Sequence, residues 1–234
     1  MLIEPVYIET HRRFVDVVDE EASELLLGRR LSNSELGCAI AHKNALNASL
    51  SLMSTRHEVE WVLISEDDAD LDEWTLESIA RELLGCSLFS PSLVTYYSAR
   101  GWLGLQILRH IKPGSSPSRA RGWSAGAVCY AINRRAVEEL APYLSLPVSY
   151  VADWPLYFSH VRRYESKNVK VNEVSGRSTI GDRTTHSVFK RIHTYARQLR
   201  NVRKISETYR VPKSIIISRL IVQPIIRDLL NRIF

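Results

Sequence analysis

The sequence predicts an α/β fold: an open mixed sheet flanked by helices, followed by a basic helical tail. Three observations carry that expectation. Short apolar runs of strand length alternate with longer segments of 3.6-residue periodicity. One of those runs stops abruptly at three consecutive carboxylates. Basic residues crowd the chain from Arg183 to its end.

Taken in order, the elements begin with Ser32-Asn33-Ser34-Glu35, a capping box in which Ser32 and Glu35 satisfy each other's backbone N–H groups. After it Leu36, Ala39, Ile40, Leu46, Leu50 and Met53 share one side of a helix of about 20 residues, with His42 on the edge of that face. Trp61-Val62-Leu63-Ile64 reads as a buried central strand and Leu93 to Tyr97 as a second. Gly101 to Arg121, with three glycines and two prolines, reads largely as a loop. A third strand is expected over Ala127 to Ile132, a helix over Arg134 to Leu144 ended by Pro147, and a last short strand at Val169-Lys170-Val171. From His186 onward the periodicity is helical, broken at Pro212 and Pro224.

Composition narrows the class. Of 234 residues 45% are apolar and 24% charged, which excludes a disordered chain, a collagen-like repeat and a disulfide scaffold. No apolar run approaches the roughly 18 to 20 residues that span a bilayer. The start, Met1-Leu2-Ile3-Glu4-Pro5, has no charged leader followed by an apolar segment, so no secretory signal is expected. Cys38, Cys86 and Cys129 stand far apart with no C-x-x-C pair and read as reduced thiols of a cytoplasmic protein. From Arg183 there are 12 basic and two acidic residues, leaving 19 basic and 24 acidic before it. An acidic body with a basic tail suggests an anionic partner for the tail: lipid, nucleic acid or a phosphorylated substrate.

The acidic run Glu66-Asp67-Asp68, followed by Asp70 and Asp72, sits where ligands bind in an open α/β sheet, at the carboxyl end of a strand. Adjacent carboxylates repel, and a hard cation such as Mn²⁺ or Mg²⁺, held together with diphosphate oxygens, relieves that repulsion. The competing reading is a solvated turn that caps a helix beginning near Trp74.

Leu36-Gly37-Cys38-Ala39-Ile40-Ala41-His42 and, about 20 residues on, Leu63-Ile64-Ser65-Glu66-Asp67-Asp68-Ala69 resemble the paired signature of glycosyltransferase family 25, "ELGCxxSH" followed by "ILEDDA". Gly122 to Ile132 with Arg134-Arg135-Ala136 resembles that family's "G..AYxISxxGA" stretch, and Val151-Ala152-Asp153-Trp154 its "PVDxxL" element. The family contains the lipopolysaccharide and lipooligosaccharide core glycosyltransferases. The resemblance covers roughly residues 5 to 180.

It implies a GT-A-like domain over residues 1–182 and a UDP-sugar donor, galactose or glucose. It also implies an inverting, metal-dependent transfer to a hydroxyl of a glycolipid or oligosaccharide acceptor. By the same resemblance Glu66, Asp67 and Asp68 hold the Mn²⁺ or Mg²⁺ ion. Inversion needs a base for the acceptor hydroxyl. Asp153, set among Val151, Ala152, Trp154 and Pro155, is the candidate, with a helix cap before Pro155 as the alternative. His42 is either a packing residue or a site-adjacent one. Trp123 and Ser124 are candidates for a sugar-binding wall and Arg100 and Arg121 for phosphate contacts, with an ordinary buried Trp and solvated arginines as the alternatives.

Two departures accompany the resemblance. It enters at Pro5-Val6-Tyr7-Ile8, after the family's first strand-turn-helix unit, and Ala41 stands where the motif has Ser. The alternative they raise is a truncated, non-catalytic homologue that binds a membrane or a partner. Residues 183–234 carry apolar segments at Ser214 to Val222 and Ile225 to Phe234 with spaced arginines. That pattern suits an amphipathic anchor at an anionic inner leaflet, and equally helices that pack on the body or on a second copy. Nucleic acid is not expected, because only Tyr195 and Tyr209 interrupt the middle of the tail.

Overall fold

The computed structural model describes residues 18–86, 90–97, 118–119, 126–152, 154–166, 168–174 and 188–222. The chain is mixed α/β and divides into two units that exchange chain several times: residues 1–43, 142–159 and 178–234 form one, and residues 44–141 and 160–177 the other.

The second unit holds the sheet. Its strands are β1 (Trp61–Ser65), β2 (Ser92–Thr95), β3 (Ser118–Arg119), β4 (Cys129–Asn133) and β5 (Arg162–Glu165), in the order β1-β4-β2-β5-β3. β4 runs antiparallel to both β1 and β2, and β2 runs parallel to β5. β1, β2 and β5 therefore point the same way and end at one edge. The pairings are in register, with Ser65 opposite Cys129 and Thr95 opposite both Tyr130 and Glu165. β2 and β4 are buried at every position, as central strands covered on both faces must be. One side packs Ile79, Val94, Tyr96, Cys129, Ala131, Val169 and Val171 into a common core.

Side chains fix where the elements of this unit start. Asn133 ends β4 and opens α4 (Arg134–Leu144): its carbonyl oxygen accepts from the N–H groups of Ala136 and Ser92, both at 3.0 Å, and its amide donates to Ser90 O at 2.9 Å. One side chain thus caps a helix and sets the first residue of β2. The Arg134 guanidinium donates to the carbonyls of Met53, Arg56 and Val59, closing the end of α2 (Asn33–Thr55) and the loop into β1. α3 (Glu73–Leu84) starts at Asp72, which accepts from Thr75 N–H at 2.7 Å.

The first unit is helical. α1 (Glu20–Leu27) is capped by Asp19, which accepts from Ala22 N–H, and ends at Gly28 with φ 74°. Only glycine suits that left-handed position, and a Cβ there would also strike the Thr194 side chain. The capping box before α2 forms as expected: Ser32 N–H donates to Glu35 Oε2 at 3.0 Å and Glu35 N–H to Ser32 Oγ at 3.3 Å. α5 (Val188–Tyr209) and α6 (Lys213–Ile217), continued by a π-helical turn at Ser218–Val222, lay Val202, Ile205, Tyr209, Val211, Ile216, Leu220 and Ile221 against Leu25, Leu26 and Leu156. The break at Pro212 falls where expected, and Pro224 with the apolar segment Ile225 to Phe234 lies outside the described residues.

Three expectations are corrected. The last strand is β5, not Val169 to Val171, of which Val171 makes only an isolated parallel bridge to Tyr97. β5 reads Arg-Arg-Tyr-Glu and has no apolar alternation, because Arg163 and Glu165 are themselves buried. Within the expected loop 101–121, Ser118 and Arg119 pair with Glu165 and Tyr164 as an edge strand; residues 101–117 and 120–121 lie outside the described residues. Finally, the apolar side chains of Ile216, Leu220 and Ile221 are buried inside the protein, so this part of the tail is not the exposed face of a lipid anchor. No helix among the described residues is long and apolar enough to cross a membrane.

Candidate functional site

The acidic run follows directly from the geometry of β1. The strand pairs with β4 as far as Ser65, and Glu66 N–H then donates to Val128 O at 2.8 Å, the last ladder-like bond. The chain turns at once: Ala69 N–H donates to Glu66 O at 3.3 Å. A second segment clasps that turn. Asp70 N–H donates to Asn172 O at 2.8 Å, Val174 N–H to Asp68 O at 2.7 Å, and Ala69 pairs with Glu173. The clasp is itself tied to the end of β2, where Val171 N–H donates to Tyr96 O at 2.9 Å.

This arrangement adds Glu173 to the three carboxylates of the sequence motif. Partial burial and the charges of Glu66, Glu173 and Asp67 together hold the Asp68 carboxyl above its ordinary range. The residues gathered here are hard oxygen donors, the donor chemistry that suits Mg²⁺ or Mn²⁺. Asp72 is engaged differently. Its carboxylate is held below its ordinary range by hydrogen bonds from Thr75, as the cap of α3. The helix-capping reading therefore holds for Asp72.

Next to the clasp, Tyr97 fills a position that Gly126 leaves open. Gly126 has φ 104°, and a Cβ on it would strike the Tyr97 ring. The ring end of β2 is thus set by the residue that opens the run into β4. Cys129 and Cys86 offer no nucleophile, since burial pushes the Cys129 thiol up to about 12 and raises that of Cys86.

The other expected site residues divide into two groups. His42 is on α2, 9% exposed, one turn beyond Cys38. Arg100, Arg121, Trp123, Ser124 and Asp153 lie outside the described residues. The segment just after Asp153 is described, however, and it is held tightly. Trp154 is buried with φ 55° and meets Phe158 edge to face at 5.6 Å. Arg219, from the turn after α6, donates to Trp154 O and to Ser159 Oγ at 2.9 Å. Burial lowers the Arg219 guanidinium to about 10. An arginine that the tail pattern suggests for a lipid surface is instead an internal clamp.

The first unit also contains a cavity of about 30 Å³ bordered by Lys43, Tyr143, Ser149 and Tyr209. Lys43 Nζ donates to Leu146 O at 2.6 Å, and Ser149 and Tyr209 share a hydrogen bond of 2.6 Å beside it. Its volume suits about one water molecule and no nucleotide.

Sequence reasoning missed Glu173, Tyr97 and Gly126 as neighbours of the acidic turn. The signal for Glu173 was present, two residues past an apolar Val-Lys-Val run, but pairing across more than 100 residues is not written in local periodicity. No family model, curated protein or solved structure matches this chain.

Proposed function

We propose that the protein is a metal-dependent inverting glycosyltransferase of GT-A-like fold that moves a hexose from a UDP-sugar to a hydroxyl of a glycolipid or oligosaccharide acceptor. The observation that carries the reading is the gathering of Glu66, Asp67, Asp68 and Glu173 where β1 ends, at the edge shared by the carboxyl ends of β1, β2 and β5. The resemblance of the motifs around His42 and Glu66-Asp67-Asp68 to glycosyltransferase family 25 supports it from the sequence side.

In this reading Glu66, Asp67 and Asp68 hold the divalent ion, with Glu173 as a further carboxylate beside them. The bound ion would neutralise charge on the departing nucleoside diphosphate. Asp153, by the same resemblance, would be the base that takes the proton of the acceptor hydroxyl. The clamp of Arg219 on Trp154 and Ser159 gives the segment after that base a fixed backbone. The clasp of residues 172–174 gives the carboxylates the same service, since the turn they occupy is hydrogen-bonded on both sides.

Titration calorimetry of Mn²⁺ and UDP, each measured with and without the other, tests the reading. The expected result is mutual strengthening of about tenfold or more, abolished in Asp68→Ala. Release of UDP from a UDP-hexose in the presence of core oligosaccharide should follow the same dependence. Mn²⁺ and UDP that bind independently, or fail to bind, overturn it and leave a non-transferring binding protein.

A further inference from the structure

The exposed face of α5 concentrates basic side chains. Gln198, Val202, Ile205 and Tyr209 form the buried stripe of this helix. On a 3.6-residue wheel Arg200, Lys204 and Glu207 lie opposite that stripe, with Arg197 and Arg203 on the two flanks. Arg203 is 82% exposed and Lys204 67%. From Arg197 to Lys213 the chain carries six cations and one acid, Glu207. Acidic neighbours offset part of that charge, Glu21 approaching Lys204 at 3.6 Å, Glu24 approaching Arg197 at 4.0 Å and Glu207 bonding Arg203 at 2.8 Å, and the exposed Arg200, Arg210 and Lys213 are the surplus.

We infer that this face docks the protein on an anionic bilayer surface, by charge and without deep insertion. Two observations favour lipid over nucleic acid. The neutral polar groups on the face turn inward to their own helix: Asn201 donates to Arg197 O at 2.9 Å and Thr208 to Lys204 O at 2.9 Å. They are not presented to base edges. Among the described residues the large apolar group on its flank is Leu199, 51% exposed beside Arg200 and Arg203, a placement that fits the headgroup boundary. Further along, Ile216, Leu220 and Ile221 are spent on the protein interior, so the attraction is electrostatic. This inference does not rest on the transferase reading.

Vesicle flotation of the full chain tests it, using phosphatidylcholine vesicles with and without about one-third phosphatidylglycerol. The full chain should float with the anionic vesicles at low salt and be released at high salt. With each basic residue near the surface worth about fivefold, the pair Arg200→Glu and Arg203→Glu should weaken binding by about 25-fold or more. The pair Arg56→Glu and Arg135→Glu, exposed on the other unit and equal in net charge change, should leave it within about twofold. Circular dichroism checks that both variants fold. Equal flotation with neutral vesicles, no flotation with anionic ones, equal loss in both variants, or tighter binding to duplex DNA than to anionic vesicles each overturns the inference.

Discussion

Glu35 shows how one residue joins local chemistry to stability. Its side chain is 3% exposed, and burial alone would raise its pKa. The Arg29 guanidinium, bonded to both carboxylate oxygens at 2.6 and 2.5 Å, and the Ser32 backbone instead hold it at about 2. A carboxylate with a depressed folded pKa stabilises the protein above its unfolded value, near 4.3, and loses that contribution as pH falls toward 2. Urea midpoints should therefore drop between about pH 4.5 and 2, by a contribution of about 2 kcal/mol after solvent screening. Arg29→Ala should remove most of this acid limb and destabilise the chain by a similar amount at pH 7. Asp68 carries the opposite sign. Its raised folded pKa means that stability falls as pH rises past the ordinary carboxylate range, because the folded state keeps its proton longer. Asp68→Asn should raise the melting temperature of the metal-free protein at pH 7 while eliminating any further rise on adding Mn²⁺, both readable in one thermal-shift series. A rise with Mn²⁺ that survives in Asp68→Asn would assign the ion to other ligands.

At the level of elements, the legible ones were those whose local pattern and tertiary role agree. The capping box, the long apolar face of α2, the short apolar runs within β2 and β4 and the proline break before α6 could all be read without knowing what packs on them. β5 could not. Its Arg163 and Glu165 are buried, Glu165 pairing with Lys170 at 3.4 Å, and a strand whose inward side chains are ionic has no hydrophobic period to detect. The apolar segment that ends in the π-helical turn at Ser218–Val222 stays ambiguous in the sequence for the converse reason. Spaced arginines on an apolar segment look alike whether the apolar face meets lipid or protein, and only the destination of Arg219 tells them apart. Because Arg219 donates to carbonyls of the buried 154–156 segment, Arg219→Ala should cost about 2–4 kcal/mol in urea unfolding. Arg219→Lys should not restore it, since an ammonium cannot span the same acceptors with a planar fork. Arg200→Ala, on the exposed face of α5, should change stability by less than about 0.5 kcal/mol.

For the molecule as a whole, the charge pattern suggests a body and a detachable tail, with the boundary near residue 182, yet the buried surface joins them. Residues from 183 onward belong to the same unit as α1 and residues 142–159. Seven tail side chains, Val202, Ile205, Tyr209, Val211, Ile216, Leu220 and Ile221, are buried with Leu25, Leu26 and Leu156. Polar bonds add to the joint: Gln198 donates to Leu26 O at 2.8 Å, and Tyr209 meets Ser149 at 2.6 Å. At about 1.5–3 kcal/mol for each large apolar side chain removed from water, the tail's burial is worth roughly 10–20 kcal/mol. That matches or exceeds the 5–15 kcal/mol by which a domain is ordinarily stable. Composition could not reveal this, because a basic helix advertises its exposed side and hides its buried stripe within the same stretch of sequence. A chain ending at residue 182 should accordingly lose the fold of the first unit, seen as reduced helical dichroism and strong binding of a hydrophobic dye. Substituting Arg200, Arg203, Arg210 and Lys213 by Gln in the full chain should leave dichroism and dye binding unchanged, since those side chains all face water. A soluble 1–182 fragment with the full chain's melting temperature would show instead that the tail is an independent appendage.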